Sequence, residues 1–569
     1  MTEEKGYVFP FATQKAVLKG ASGAVSSNSY YATKAGLEIL EQGGTAFDAA
    51  VAVSLTLSVT EPHHSGIGGG AFALLYSANE GKTVALDARG DAPKAADRDI
   101  FIKDGQFVND WATFGGKSVL VPGLYRSLDK MLKEYGTMSW QQVSAPAIRT
   151  AREGFRASYV MGAIVDDLSV QKKHDATKEF RNLYYKKDGS PYRFGELIKN
   201  PEIADTMEEI AAKGVDFYYK GQLADDIVKA VQENGGVLAK EDMAGYDVQV
   251  KEPLRGSYRG YEIATMPPPS SGVIILEMLN ILENFDLSAM GQGSADSIHA
   301  IAETMKAAFA DRSVGVGDPR FVKVNVDLLS SKEFAKERFA CIDMKKAQSF
   351  APAEQVDCKD YPGNTTHFVV IDKAGNIVTQ TQTVRDWYGS GVVVKGRGFV
   401  MNNTMADFSP RAGIKTTQGL TYGESNSIQG GKSPLSSKSP SIIFKDGKPL
   451  FAVGSAGGPR IVTSILQCIL NILDYGILPD EAIKRAKLTS FTQEQGLELE
   501  PGVSPDTVAE LKKRGHLVCQ CPEGYALTMM LNSIAIKDGL LYPGMVSRVD
   551  GCAGVLFDDN SSGFYGICY

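Results

Sequence analysis

The 569-residue chain has little of what several protein classes require. It carries no basic run: 60 Lys and Arg are interspersed with 67 Asp and Glu for a formal charge of −7, which argues against a nucleic-acid partner. Its seven cysteines are mostly isolated, so their spacing writes no disulfide framework, and Cys519-Gln520-Cys521 is too tight for the usual zinc patterns. Of six histidines only His63 and His64 are neighbours. No metal-ligand spacing results, and neither a metal nor a cofactor is expected. The apolar stretch Ala49 to Val59 is too short to cross a bilayer and ends at Glu61-Pro62. The start, Met1-Thr2-Glu3-Glu4-Lys5, lacks the apolar segment of a secretory signal. These absences predict a soluble protein without a membrane partner, cytoplasmic if Met1 is the native start.

What is present is enough apolar sequence, 43% of residues, to bury a large core. Helices and strands alternate without a repeat. Ser29 to Gln42 has helical periodicity and stops at Gly43-Gly44, and Thr45 to Val59 suits a fully buried helix. Ser65-Gly66-Ile67-Gly68-Gly69-Gly70-Ala71 fits a dinucleotide fingerprint with Asp87 near the acidic position. Its context fails, because it follows Pro62-His63-His64 and opens into the strand-like Phe72 to Tyr76; a close-packed glycine turn is the better reading. Val84 to Leu86 and Tyr258 to Thr265 read as strands, residues 123–245 as an outer helical layer, and Val273 to Glu283 as a helix. Polar sequence over 346–364 reads as a linker, and Gly413 to Gly430 as a mobile loop. Gly431-Lys432-Ser433 resembles the end of a phosphate loop, but Asn426 and Pro434 exclude it.

The organising stretch is Asn364 to Thr383. Phe368 to Ile371 and Ile377 to Thr383 read as strands, and Asp372-Lys373-Ala374-Gly375-Asn376 is turn chemistry, so the segment predicts a β-hairpin. If those turn residues form the whole loop, Ile371 faces Ile377, Thr366 faces Gln382 and Thr365 faces Thr383; a bulge at Gly375 would slip the register by one. A threonine hydroxyl needs an adjacent base to act as a nucleophile, and a free α-amine on the same residue is one. Cleavage between Asn364 and Thr365 would create it. The other reading of Thr365 is an ordinary threonine at a strand start.

Two further stretches offer chemistry. Leu435-Ser436-Ser437-Lys438-Ser439-Pro440 presents adjacent hydroxyls before a strand from Ser441 to Phe444. Phe451 to Arg460 reads as a strand, a glycine turn and a helix from about Ile461. The N–H groups of such a turn can converge on an oxyanion; a plain strand-to-helix turn is the alternative. His367 would share the strand face of Thr365, in a packing or hydrogen-bonding role.

Taken together, Asn364-Thr365-Thr366-His367-Phe368, Met266-Pro267-Pro268-Pro269-Ser270-Ser271-Gly272, Pro434 to Pro440 and Gly454-Ser455-Ala456-Gly457-Gly458 resemble the γ-glutamyltranspeptidases. Gly68-Gly69-Gly70, Asp311-Arg312-Ser313 and Gly317-Asp318-Pro319 join them, in family order, from about residue 20 to the C-terminus. The resemblance implies an α+β, four-layer αββα N-terminal-nucleophile hydrolase. It is made as one inactive chain that cuts itself into residues 1–364 and 365–569, which stay together as a heterodimer. By the same resemblance Thr365 is the nucleophile, Thr383 supports it, and Gly457 and Gly458 form the oxyanion pair. Arg89, with Ser436 and Ser437, takes the donor α-carboxylate, and Asp407 the α-ammonium. Arg385 and Thr404 depart from the family's usual Asn or Glu and Gln or Glu at positions that help hold that ammonium. The implied activity is hydrolysis or transfer of γ-glutamyl groups from glutathione-like donors to water or an amine. The alternatives are a glutaryl-type acylase with the same machinery and a non-catalytic binding homologue.

Overall fold

The computed structural model describes residues 18–350, 364–409, 423–522, 527, 530–546 and 550–566. Its centre is two stacked antiparallel sheets built from strands β1 (Gly23–Ser27), β2 (Gly70–Ser77), β3 (Lys82–Ala88), β4 (Gln249–Lys251), β5 (Leu254–Tyr258), β6 (Tyr261–Thr265), β7 (Asn364–Asp372), β8 (Ile377–Arg385), β9 (Ser441–Lys445), β10 (Lys448–Ala456), β11 (Met530–Lys537), β12 (Leu540–Met545), β13 (Cys552–Leu556) and β14 (Ser562–Gly566). The eight-stranded sheet runs β14-β13-β1-β7-β8-β2-β3-β4, and the six-stranded sheet runs β12-β11-β10-β9-β6-β5. Sequence on each side of residue 364 contributes to both sheets, so neither side has a sheet of its own.

Residues alternate between two cores along each central strand, as a period of two requires. On β7, Phe368 and Val370 join the core under the helices, whereas Val369 and Ile371 join the core between the sheets. Helices α1 (Tyr30–Glu41), α2 (Ala46–Thr60) and α3 (Trp140–Glu153) cover the outer face of the larger sheet, and α4 (Gly272–Leu282), α5 (Ala295–Gly315) and α6 (Arg460–Leu473) cover that of the smaller one. This is the αββα sandwich. Every residue of α2 is buried, as its Ala- and Val-rich sequence predicts. The helix starts at a capping box in which Thr45 N–H donates to Asp48 Oδ2 at 2.8 Å. Asp48 Oδ1 also accepts from Thr137 and Met138 N–H at 2.8 and 3.0 Å, which ties α2 to the loop before α3.

The structure revises some boundaries. Tyr258 to Thr265 is not one strand. Arg259, at φ +48°, and Gly260 turn the chain between β5 and β6. Of the expected linker, residues 351–363 lie outside the described residues, whereas its first part is docked: Ala347 N–H donates to Arg514 O at 2.7 Å and Lys306 Nζ to Gln348 O at 2.6 Å. Of the expected mobile loop, residues 413–422 lie outside the described residues, and Asn426 beyond them is buried. Among the described residues no helix is long and apolar enough to cross a membrane.

Candidate active site

The hairpin register holds from Ile371↔Ile377 to Thr366↔Gln382, with no slip at Gly375. The irregularity lies at the other end. Asn364 pairs with Arg385, so Thr383 and Val384 together oppose Thr365 in a bulge, and Arg385 takes φ +86°. The bulge leaves Thr365 without a ladder partner but brings the two hydroxyls together: Thr365 Oγ1 donates to Thr383 Oγ1 at 3.3 Å. Thr383 Oγ1 in turn donates to Asn364 O at 2.5 Å and accepts from Arg385 N–H at 2.8 Å. One hydroxyl therefore contacts the Thr365 hydroxyl and polarises the carbonyl of the peptide bond before it.

The strands beneath are rigidly set. The glycine run Gly68-Gly69-Gly70 packs backbone to backbone: a Cβ at Gly69 would overlap Thr383 O, and one at Gly70 would overlap Arg89 O. This is the close-packed turn read from the sequence. His367 sits between the sheets, bonded through Nδ1 to Thr381 Oγ1 at 2.8 Å and through Nε2 to Thr379 Oγ1 at 3.2 Å; burial lowers its pKa to about 3, so it is neutral. Across the gap lies Gly454 of β10, where a side chain would overlap the imidazole.

Ala452 of β10 shares the inter-sheet core with Val369 and Ile371, and Gly454 meets His367. Moving up β10 thus moves back along β7 towards Thr365, and the next residues are Gly457 and Gly458, at φ +127° and +60°. Their carbonyls accept from Arg460 and Ile461 N–H, whereas their own N–H groups have no backbone acceptor among the described residues. The turn can present two free donors to an oxyanion.

Several quoted motifs converge beside this centre. Arg89 is 2% exposed and bonds Pro434 O, Leu435 O and Asp407 Oδ2 through Nε and Nη2, leaving Nη1 without a partner among the described residues. Ser271 Oγ donates to Ser436 O at 2.7 Å, Ser436 N–H to Pro269 O at 2.8 Å, and Ser433 N–H to Asp318 Oδ2 at 2.8 Å. Arg312, buried, bridges Ser271 Oγ at 2.8 Å and Ser437 Oγ at 3.0 Å. Ser436 Oγ and Ser437 Oγ each accept one bond and keep a hydroxyl proton to give.

Arg385 does not turn to solvent. Its guanidinium is 3% exposed and pairs with Asp407 Oδ1 at 2.7 Å and Asp386 Oδ2 at 2.5 Å. Burial alone would lower its pKa, but the Asp386 and Asp407 carboxylates outweigh burial and hold it above the ordinary value. Asp407, taken by Arg385 and Arg89 together, is held below the ordinary carboxylate value despite its burial. Thr404, in the 3₁₀ turn Thr404–Asp407, is buried and donates its N–H to Asn402 Oδ1 at 3.0 Å.

Sequence spacing missed one cluster elsewhere. His299 Nδ1 and His516 Nε2 lie 2.7 Å apart although 217 residues separate them, with Glu303 beside them. The Lys306 ammonium stands 2.7 Å from Glu303 Oε1 and occupies the carboxylate that a cation would need. Lys432 of the rejected phosphate-loop motif is buried against Ser425 O and Ser427 O at 2.8 and 3.0 Å.

Comparison with known proteins decides the family. The family model for gamma-glutamyltranspeptidase matches residues 32–552. The chain belongs to that family. The glutathione hydrolase proenzyme of Escherichia coli (strain K12) is 40% identical over 509 residues, covering 88% of this chain and 86% of that protein. The acylase ACY 1 proenzyme of Pseudomonas sp. (strain SE83) is 36% identical over 563 residues, covering 96% and 95%. The crystal structure of a cephalosporin acylase from Bacillus halodurans superposes with a TM-score of 0.85 at 29% identity, covering 97% of this chain and 98% of that one. The chain is therefore an enzyme of the γ-glutamyltranspeptidase family with the sandwich of the N-terminal-nucleophile hydrolases.

Proposed function

We propose that this enzyme processes itself at Asn364–Thr365 and then hydrolyses or transfers γ-glutamyl groups from glutathione-like amides. The observation that carries the reading is the Thr365–Thr383–Asn364 relay. In processing, Thr365 Oγ1 attacks the Asn364 carbonyl carbon while Thr383 O–H holds the oxygen on which charge develops. The C–N bond breaks, the hydroxyl proton ends on the departing nitrogen, and an ester to Thr365 Oγ1 remains. Water hydrolyses the ester and leaves the Asn364 carboxylate and a free α-amine on Thr365. The fragments 1–364 and 365–569 stay associated because each contributes strands to both sheets.

In turnover the α-amine takes the Thr365 hydroxyl proton as Oγ1 attacks the donor's γ-carbonyl. Gly457 and Gly458 N–H receive the oxyanion, and the amine returns the proton to the leaving nitrogen. Water or an amine then takes the acyl group. Arg89 Nη1 with the Ser436 and Ser437 hydroxyls suits the donor α-carboxylate, and Asp407 the α-ammonium. A second reading, a glutaryl-type donor without the ammonium, is favoured by one observation: both Asp407 oxygens are already held by arginines. A donor screen with purified protein, using γ-glutamyl, glutaryl and neutral acyl anilides, tests the reading. Release of the aniline from neither acidic donor excludes it.

A further inference from the structure

Lys438 follows Ser436 and Ser437 directly and takes no part in the chemistry above. Its side chain is 3% exposed, and its Nζ has no hydrogen-bond partner among the described residues. Nζ lies 5.4 Å from the centroid of the Phe72 ring. Phe72 belongs to the inter-sheet core and stands two positions along β2 from Gly70, the ladder partner of Thr383. The amine thus occupies the gap between the sheets, one side-chain row inward from the Thr383 hydroxyl.

Its charged neighbours are Arg89, Asp407 and Asp87. Neither carboxylate is available to it, because Asp407 is held by Arg89 and Arg385, and Asp87 by Lys251 at 2.7 Å. Burial first, and then the Arg89 charge, push its pKa well below that of an ordinary lysine. A buried donor left without an acceptor is destabilising, so a ligand that brings an acceptor gains by pairing with it.

We propose that Lys438 is a donor-specificity residue whose amine takes up a proton as the substrate binds and pairs with a carboxylate on its acyl chain, favouring monoamides of dicarboxylic acids that lack an α-ammonium. This rests on the donor pocket proposed above. The charge count gives the direction. Arg89 and Arg385 balance Asp407 and Asp386, so the proton that Lys438 takes up with a bound carboxylate adds one positive charge, and the buried Lys173 adds a further cation near Asp386. A glutaryl head, net −1, neutralises the Lys438 charge. A γ-glutamyl head, whose carboxylate and ammonium cancel, gives Lys438 less to pair with and sets its own ammonium against Arg89 and Arg385.

The test uses the processed enzyme with glutaryl and γ-glutamyl p-nitroanilides, comparing wild type with Lys438→Met. The variant should lose at least about tenfold in kcat/KM for the glutaryl donor, through KM, with kcat and the γ-glutamyl value changed less than about threefold. A folded, processed variant with the wild-type ratio between the two donors overturns the proposal. Should Lys438→Met fail to process, wild type alone decides: glutarate must inhibit competitively at a lower concentration than L-glutamate, and the reverse order overturns the proposal. Wild type that cleaves neither anilide sinks the functional reading itself, a different outcome from an unchanged ratio.

Discussion

The hydroxyl of Thr383 donates to the carbonyl oxygen of Asn364 across 2.5 Å, while that of Thr365 donates to Thr383 across 3.3 Å. In the proposed cleavage, Thr383 is thus already on the oxygen that would become negative when the preceding peptide bond is attacked. Hydrogen bonds to charged groups contribute about 1.5–3 kcal/mol, or roughly ten- to a hundredfold in rate. Thr383→Val should slow appearance of the two fragments by that factor, and Thr383→Ser should restore most of it. A gel time course reads both. Processing of the Val variant at the wild-type rate would remove Thr383 from the cleavage step.

Arg385 is the second place for a direct test. Its guanidinium occupies Asp407 Oδ1, the oxygen that the proposed α-ammonium contact would use. Like charges about 4 Å apart repel by roughly 1 kcal/mol in bulk water and about 4 kcal/mol at an effective dielectric of 20. Arg385→Asn should therefore lower the Michaelis constant for a γ-glutamyl anilide about tenfold relative to the glutaryl anilide. It should also lower stability by about 1–3 kcal/mol, because the buried carboxylates lose a partner. An unchanged donor ratio would place Arg385 outside recognition.

Asp407 gives a pH dependence with a definite sign. A carboxylate whose folded pKa is depressed adds stability above its unfolded value and loses it as pH falls through the folded one. Arg385 and Arg89 outweigh burial to hold Asp407 below its ordinary 3.8. The melting-temperature gap between wild type and Asp407→Asn should be full above about pH 5 and close as pH drops below 3.8. A gap that persists unchanged at lower pH would mean that the charge on Asp407 does not stabilise the fold.

Gly454 tests the packing behind β7. A Cβ there meets the His367 ring, which is itself fixed by Thr379 and Thr381. Overpacking of this kind costs about 1–3 kcal/mol. Gly454→Ala should lower the urea midpoint accordingly, and an unchanged midpoint would mean that the two sheets can slide apart at this point.

The sequence disclosed whatever depends on neighbours along the chain. The β-hairpin followed from its turn residues and β-branched runs, α2 from its uninterrupted Ala and Val, and the glycine run from the failed context of its nucleotide motif. What it hid depends on contacts across the fold. The bulge at Thr365 forms where Thr383 and Val384 bond to the His64 carbonyl, 319 residues away in the case of Thr383. The direction of Arg385 is settled by Asp407, 22 residues on in a separate turn. The orphaned amine of Lys438 and the contact of His299 with His516 leave no trace in spacing. Nor does the spacing show that Gly458 is left-handed, at φ +60°, a conformation that proline, with φ near −65°, could not take without moving the turn.

The proposed chemistry requires Thr365 to be freed as an N-terminus, and the most direct measurement is N-terminal sequencing of the small fragment of the purified protein. The expected result is two fragments, the smaller beginning Thr365-Thr366-His367, with Thr365→Ala remaining a single inactive chain. A small fragment that begins at any other residue, or an active uncut chain, would contradict it.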